Sequence, residues 1–106
     1  MTNYSRGAQF ENQVKHDMIA RGYHAHRIAG SHSPVDVVCI GKKVVYIQCK
    51  IGGVLRPDEW NTFFDYCSEV GALPVLAERD KGIRYYLITG KKDKTHKPQP
   101  KKELFL

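Results

Sequence analysis

Two short apolar runs separated by a three-residue turn constrain the fold of this chain more than any other feature. Residues 35–40 and 44–50 are rich in valine, isoleucine and tyrosine, which favour strands, and only Gly41, Lys42 and Lys43 lie between them. This spacing predicts an antiparallel hairpin. Because both runs are apolar along most of their length, we expect the hairpin at the centre of a sheet.

Two amphipathic helices are predicted, one on each side of the hairpin in the sequence. The first, over residues 5–21, carries its main apolar side chains at every fourth position: Phe10, Val14 and Met18. The second opens at Pro57, and two acidic residues follow, which is a favoured helix start. Its apolar stripe has helical spacing and consists of Trp60, Phe63, Phe64, Cys67 and Val70. We expect these side chains in the core or in a dimer interface.

Three further strands are predicted beside the hairpin, over residues 23–29, 73–78 and 83–89. The resulting order is α-β-β-β-α-β-β. Each amphipathic helix must cover a sheet face, so this order predicts an α/β fold in which a mixed central sheet of about five strands is flanked by helices.

The positive charge of the chain is concentrated at its end. The 106 residues have a net charge of +6, and residues 91–106, with six lysines and two acidic residues, contribute +4 of it. We therefore expect a folded domain over 1–90 and a disordered basic tail over 91–106, which binds a polyanion such as nucleic acid. Two interpretations of residues 104–106 stay open: a short peptide that docks on a replication or recombination partner, or a terminal strand or frayed end.

Neither membrane insertion nor secretion is predicted. No run approaches the ~20 apolar residues of a membrane-spanning helix, and the first residues lack the apolar stretch of a signal peptide. The three cysteines are odd in number and have no CxxC spacing, so they are interpreted as small core residues. We expect a cytoplasmic protein with no membrane partner.

Polar side chains stand at the end of the predicted hairpin. If the turn pairs Ile40 with Val44, then Asp36 lies opposite Gln48, and Lys50 follows two residues later on the same face. A carboxylate and a lysine at the end of central strands are costly unless they are paired or used. Two interpretations stay open. Asp36 and Gln48 hold a divalent cation through hard oxygen atoms while Lys50 faces a phosphate or the attacking water, or the residues form an ordinary Asp–Lys pair.

Five blocks of sequence, in a fixed order, carry a family resemblance. They are 4–11 (YSRGAQFE), 27–31 (RIAGS), 34–36 (PVD), 46–50 (YIQCK) and 71–77 (GALPVLA). Together they resemble the archaeal-type Holliday-junction resolvases, which belong to the restriction-endonuclease-like PD-(D/E)xK nuclease superfamily. The resemblance covers about residues 4–89, and it implies that residues 1–90 form a nuclease domain with a restriction-endonuclease-like sheet.

The resemblance also implies a metal site. Glu11, Asp36 and Gln48 would bind Mg²⁺, for which Mn²⁺ may substitute, with the main-chain carbonyl of Cys49 as a further ligand and Lys50 beside them. Glu11 lies next to the apolar stripe of the first helix, so its side chain could project toward the sheet. The family usually has Glu where this chain has Gln48, and a neutral amide is a poorer ligand for a hard cation than a carboxylate.

DNA contacts complete the set of implied residues. Ser31 matches a serine that is needed for cleavage in the family, and Arg6 and Arg27 match positions that hold junction DNA. We assign DNA contacts to six residues: Arg6, Arg27, Ser31, His32, Lys42 and Lys43. Family members are homodimers that cut two opposed strands of a four-way junction. The resemblance therefore implies a resolvase that acts by paired nicking; a nuclease for other branched or duplex DNA, or a non-cutting nucleic-acid binder, remains an alternative.

Overall fold

The computed structural model describes residues 3–28, 33–94 and 99–104, with the side chains of residues 3 and 4 left aside. Two helices and six strands occur in this part of the chain. In chain order they are α1 (Asn3–Ala20), β1 (His24–Arg27), β2 (Val37–Ile40), β3 (Val44–Lys50), α2 (Pro57–Val70), β4 (Leu73–Arg79), β5 (Ile83–Ile88) and β6 (Lys101–Leu104). The predicted α/β class and the flanking helices are confirmed, and the sheet has six strands where about five were predicted.

The strands lie in the sheet in the order in which they occur in the sequence. Strands β3 and β4 pair in parallel, and the other neighbours pair antiparallel. A parallel pair requires a crossover, and α2 supplies it. The hairpin pairs Ile40 with Val44 and Val37 with Ile47, as the sequence predicted. The mixed sheet therefore places the end of β3 at its centre, between β2 and β4.

Helix α1 covers one face of the sheet. Phe10, Val14 and Met18 are almost completely buried and pack in one cluster with apolar side chains of β1 to β5. A hydrogen bond of 2.7 Å, from the Tyr85 hydroxyl to the Asp17 carboxylate, ties the helix to β5. The period-four pattern of the sequence thus identifies the buried face of the helix correctly.

Helix α2 covers part of the other face. Pro57 occupies its first turn with Asp58 and Glu59, and the helix ends at Gly71, whose φ of 75° is the left-handed conformation that glycine adopts without strain. The side chains of Trp60 and Phe63 are fully buried in a second cluster. The prediction that the apolar stripe of this helix lies in the core or in a dimer interface is confirmed as core for Trp60, Phe63 and Cys67. Phe64 is partly buried against the same cluster, and Val70 is 54% exposed.

The prediction of a disordered tail over 91–106 is wrong for the described residues 91–94 and 99–104. The backbone of Lys92 exchanges two hydrogen bonds with the side chain of Asn61, and the Lys92 ammonium donates to the Leu55 carbonyl at 2.6 Å. Residues 101–104 form β6, and Leu104 packs against the α1 cluster. The terminal strand was one of the two interpretations left open for this end. The prediction failed because it used only the local composition of the segment. The segment is held by contacts with α2 and β5, which are distant in the sequence.

Two exclusions drawn from the sequence bear on the fold. All three cysteines are free, with Cys39 and Cys67 buried and Cys49 half-buried, in agreement with their interpretation as small core residues. Within the described ranges, neither helix combines the length and the apolar character needed to cross a bilayer.

Candidate active site

Asp36 lies where three strands of the sheet meet. Its backbone carbonyl accepts the N–H of Ile28, just after β1, at 2.8 Å, and its own N–H donates to the Ile47 carbonyl of β3 at 2.9 Å. Its carboxylate accepts the backbone N–H of Cys49 at 2.8 Å. The residue is therefore held by its main chain on both sides and by its side chain at the end of β3.

The position of Asp36 relative to Gln48 departs from simple strand alternation. The regular pairing of the hairpin ends at Val37 and Ile47, and the Asp36 N–H also bonds to Ile47 rather than to the next residue. Within the described chain, no hydrogen bond joins the side chains of Asp36 and Gln48. Gln48 pairs in register with Leu76, a member of the α2 cluster, so Gln48 lies on the α2 face of β3.

The Asp36 carboxyl is poorly stabilised as an anion. Burial raises its pKa from an ordinary 3.8 to about 6; the Cys49 N–H opposes this, the nearby Glu11 carboxylate adds to it, and the Arg27 guanidinium lowers it. The Asp36 and Glu11 carboxylates repel each other in a half-buried site. A bound cation would neutralise this repulsion and replace the hydration that burial removes. The charges here therefore fit a divalent cation.

Glu11 and Arg27 form an ion pair between α1 and β1. The Arg27 Nε lies 2.8 Å from the Glu11 Oε1, and the two side chains are only 22% and 19% exposed. Glu11 thus projects toward the sheet rather than into water, as the sequence suggested. Arg27, which we assigned to DNA, is held here by an acidic residue, so a contact with DNA would have to share its guanidinium with Glu11.

A cavity of about 280 Å³ opens beside this ion pair. Its polar wall is formed by Arg6, Glu11, Cys49 and Lys50, and Gly7, Phe10 and Ile51 form its apolar wall. Lys50 makes no ion pair within 4.0 Å among the described residues. The cavity therefore lies between the first turns of α1 and the end of β3, next to the main chain that binds Asp36.

The donor atoms at this end of β3 are hard oxygens. Burial raises the pKa of the Cys49 thiol well above its ordinary value, so this side chain stays neutral and only its main chain can serve a cation. In the described part of the chain, no three side chains of His, Cys, Asp or Glu are grouped to hold a metal. A cation would thus need the Gln48 amide or a main-chain carbonyl in addition to Asp36 and Glu11, which is the oxygen set that suits Mg²⁺.

Other assigned residues lie farther away or outside the described ranges. Ser31 and His32 are not among the described residues. Lys42 and Lys43 are exposed at the turn of the hairpin, the end opposite to Asp36. With a strand rise of about 3.3 Å per residue, this turn lies roughly 16 Å from Asp36 along β2. A long nucleic-acid ligand could contact both ends, whereas a small ligand could not.

One acidic residue near Lys50 was not predicted. Glu78 of β4 is the register partner of Lys50 in the parallel pair, so their Cα atoms are neighbours across the sheet. The sequence offers no local signal for this contact, because the register of a parallel pair depends on the length and packing of the crossover helix.

Of the comparisons with known proteins, the one with solved structures gives matches. No protein-family model matches the chain, and no curated protein matches it. Among solved structures, the chain is similar to Hjc of Archaeoglobus fulgidus, a Holliday junction resolvase from an archaeal hyperthermophile. The TM-score is 0.68 at 24% sequence identity, and the alignment covers 76% of this chain and 74% of that chain. At this identity the similarity shows a shared fold.

Proposed function

We propose that this protein is a metal-dependent endonuclease that resolves four-way DNA junctions by paired nicking. The observation that carries the proposal is the Asp36 carboxylate, bonded to the Cys49 N–H beside a cavity lined by Glu11 and Lys50. The resolvase-like sequence blocks and the fold shared with an archaeal resolvase support the same function.

The residues of the site have separate roles in this proposal. Asp36, Gln48, the Cys49 carbonyl and Glu11 would hold the cation, and Lys50 would orient or deprotonate the attacking water. The chemistry supplied by Mg²⁺ at this place, with Mn²⁺ as a substitute, is activation of water and neutralisation of the charge that develops on the phosphate. Asp36 is suited to its role because its charged form gains more from a cation than a solvated carboxylate would.

Selection of a junction requires more than one site, because every phosphodiester offers the same chemistry to a nuclease. A symmetric homodimer would set two sites at a fixed distance and angle, and only branched DNA would present two strands to both. Basic side chains would hold the arms through phosphates: Arg6, Arg27, Lys42 and Lys43, with Ser31 and His32. The lysines of residues 91–106 would add to this contact.

The direct test is incubation of labelled four-way junction with the protein and Mg²⁺ or Mn²⁺. Symmetric nicks in opposed strands are expected, and Lys50→Ala should abolish them. Lys81→Asn is the matched control, because it removes one positive charge from the exposed turn between β4 and β5, where asparagine tolerates the left-handed φ of 56°. Efficient competition by unbranched duplex would instead indicate a nuclease for duplex DNA.

A non-cutting binder is the second candidate. Gln48 stands where the resembling family usually has Glu, and the described residues lack a group of three acidic or other metal-binding side chains. Binding of the junction without product in either metal, and without gain of cleavage in Gln48→Glu, would favour this candidate.

A further inference from the structure

Arg27 brings a positive charge to a half-buried position between α1 and the sheet. Its Nε lies 2.8 Å from the Glu11 Oε1, and the two side chains are 22% and 19% exposed. Val37, the register partner of Arg27, and Phe10, the neighbour of Glu11 on α1, both belong to the buried α1 cluster. The ion pair is therefore set beside apolar side chains and is largely withdrawn from water.

The stability of the fold does not explain an ion pair at this position. Taking two charges out of water costs free energy that their attraction only partly returns, and well-packed apolar residues in their place often make a protein equally or more stable. On the same helix, Arg21 pairs with Asp17 at 2.9 Å where the side chains are more exposed, at 35% and 32%. The more deeply buried pair of Arg27 therefore needs a local explanation.

A second carboxylate near Glu11 supplies this explanation. Burial has the largest effect on the pKa of Asp36, followed by the Cys49 N–H; the Glu11 carboxylate then raises this pKa and the Arg27 guanidinium lowers it. The backbone brings Arg27 close to Asp36, because the next residue, Ile28, donates its N–H to the Asp36 carbonyl at 2.8 Å. When both acids are ionised, one positive charge stands against two negative charges, and Arg27 neutralises half of the charge of the acid pair.

We propose that Arg27 is the resident counter-ion of Glu11 and Asp36 and sets how tightly these carboxylates bind a divalent cation. In the metal-free protein the guanidinium offsets the repulsion between the two acids. The same guanidinium repels a divalent cation at these acids, so the cation binds more weakly than it would without Arg27. The inference rests on the proposed function in taking Glu11 and Asp36 as ligands of the cation. It gives Arg27 a role that needs no contact with DNA.

A purely orienting role for Arg27 predicts a change of the opposite sign. A residue that only holds a metal-binding carboxylate in place raises the affinity of the site, and its loss lowers that affinity. A counter-ion lowers the affinity, and its loss raises it. The sign of the change in metal affinity of Arg27→Met therefore separates the two roles.

The experiment measures binding of Mn²⁺ to the protein alone, from the electron paramagnetic resonance signal of the free ion at neutral pH and low salt. Arg27→Met should lower the Kd for Mn²⁺ by about tenfold, the order expected when one unit charge near a divalent cation is removed from a partly buried site. Arg27→Lys keeps the charge and should stay within about twofold of the unchanged protein. Asp36→Asn should weaken binding by about tenfold, which locates the ion at this site. Arg21→Met is the matched control, because it breaks an Arg–carboxylate pair of nearly the same length on α1, and it should leave the Kd unchanged.

Unfolding in urea gives a second measurement. With a chelator present, Arg27→Met should have a lower urea midpoint than the unchanged protein, because Glu11 and Asp36 then repel each other without a counter-ion. Saturating Mn²⁺ should raise the midpoint of Arg27→Met more than that of the unchanged protein, since the variant binds the ion more tightly. If Arg27→Met does not fold, Arg27→Gln, which keeps a donor for Glu11 without the charge, takes its place.

Several outcomes overturn the inference. Unchanged or weaker Mn²⁺ binding in Arg27→Met refutes it, and so does a gain in Arg27→Lys as large as that in Arg27→Met, because the charge would then be irrelevant. Absence of Mn²⁺ binding in every protein refutes it as well. Cleavage of the four-way junction by the unchanged protein, assayed separately, decides the proposed function. Tighter Mn²⁺ binding in Arg27→Met without any cleavage would support the counter-ion and contradict the nuclease.

Discussion

Replacing Asp36 with asparagine should stabilise the metal-free protein at neutral pH. The folded carboxyl has a pKa of about 6 against an ordinary 3.8, so the folded state resists its ionisation. Each pH unit between the two pKa values corresponds to about 1.4 kcal/mol, so the charged carboxylate costs the folded protein about 3 kcal/mol. Asparagine carries no charge, and its amide oxygen can still accept the Cys49 N–H.

The sign of the effect sets its pH dependence. Well below pH 3.8 the carboxyl is protonated in both states, and no cost exists. As the pH rises toward 6 the unfolded chain ionises while the folded carboxyl keeps its proton, so the stability contributed by this group falls. Above about pH 6 the full cost is present. Asp36→Asn should therefore exceed the unchanged protein by less than about 1 kcal/mol at pH 4 and by about 3 kcal/mol at pH 7.

Urea unfolding measured from pH 4 to pH 8 in the presence of a chelator tests this prediction. Trp60, the one tryptophan of the chain, is fully buried and reports unfolding by fluorescence. Asp65→Asn is the control, since Asp65 is about half exposed in a surface ion pair with Lys91 and should change stability little at any pH. A gain that does not vary with pH, or a loss at pH 7, would refute the assignment of the cost to the Asp36 charge. Mg²⁺ should then raise the midpoint of the unchanged protein more than that of Asp36→Asn.

Three further predictions concern the cation, the thiols and the C-terminal segment. Gln48→Glu should tighten Mg²⁺ binding by about tenfold in calorimetry, since it adds a full negative charge to the donor set; unchanged affinity would remove Gln48 from that set. Burial raises the pKa of the Cys39 and Cys67 thiols to about 12, so neither should react with iodoacetamide at pH 8 until urea unfolds the chain, as mass spectrometry would detect. Lys92→Met should lower the free energy of unfolding by about 1 kcal/mol through the lost bond to Leu55, and Lys92→Ala by about 2 to 3 kcal/mol because the packed stem is lost as well. Equal stability of all three proteins would mean that the segment is not docked.

Local patterns predicted the parts of the fold that depend on neighbouring residues. The hairpin register follows from a three-residue turn between β-branched runs, and the buried stripe of α2 follows from helical spacing. The position of the Asp36 side chain could not be read in the same way. The alternation of side chains along a strand predicts that Asp36 lies opposite Gln48. The regular pairing of β2 and β3 instead ends at Val37 and Ile47, and the Asp36 carboxylate accepts the Cys49 N–H. Departures of this kind at a strand end depend on the twist of the whole sheet.

The C-terminal segment shows why charge alone does not identify a solvated tail. Lys92 is only 8% exposed, with its ammonium 4.9 Å from the centre of the Trp60 ring, and Lys101 lies over Tyr86. Both lysines hold their ammonium group near an aromatic ring and donate it to an oxygen acceptor, which lowers the cost of burying a long basic side chain. In the sequence these residues look like any other lysines of a basic run. Their acceptors, a carbonyl before α2 and a carboxylate on β4, are 37 and 23 residues away. The same run thus contains lysines that pack into the fold and lysines, such as Lys94, that stay exposed.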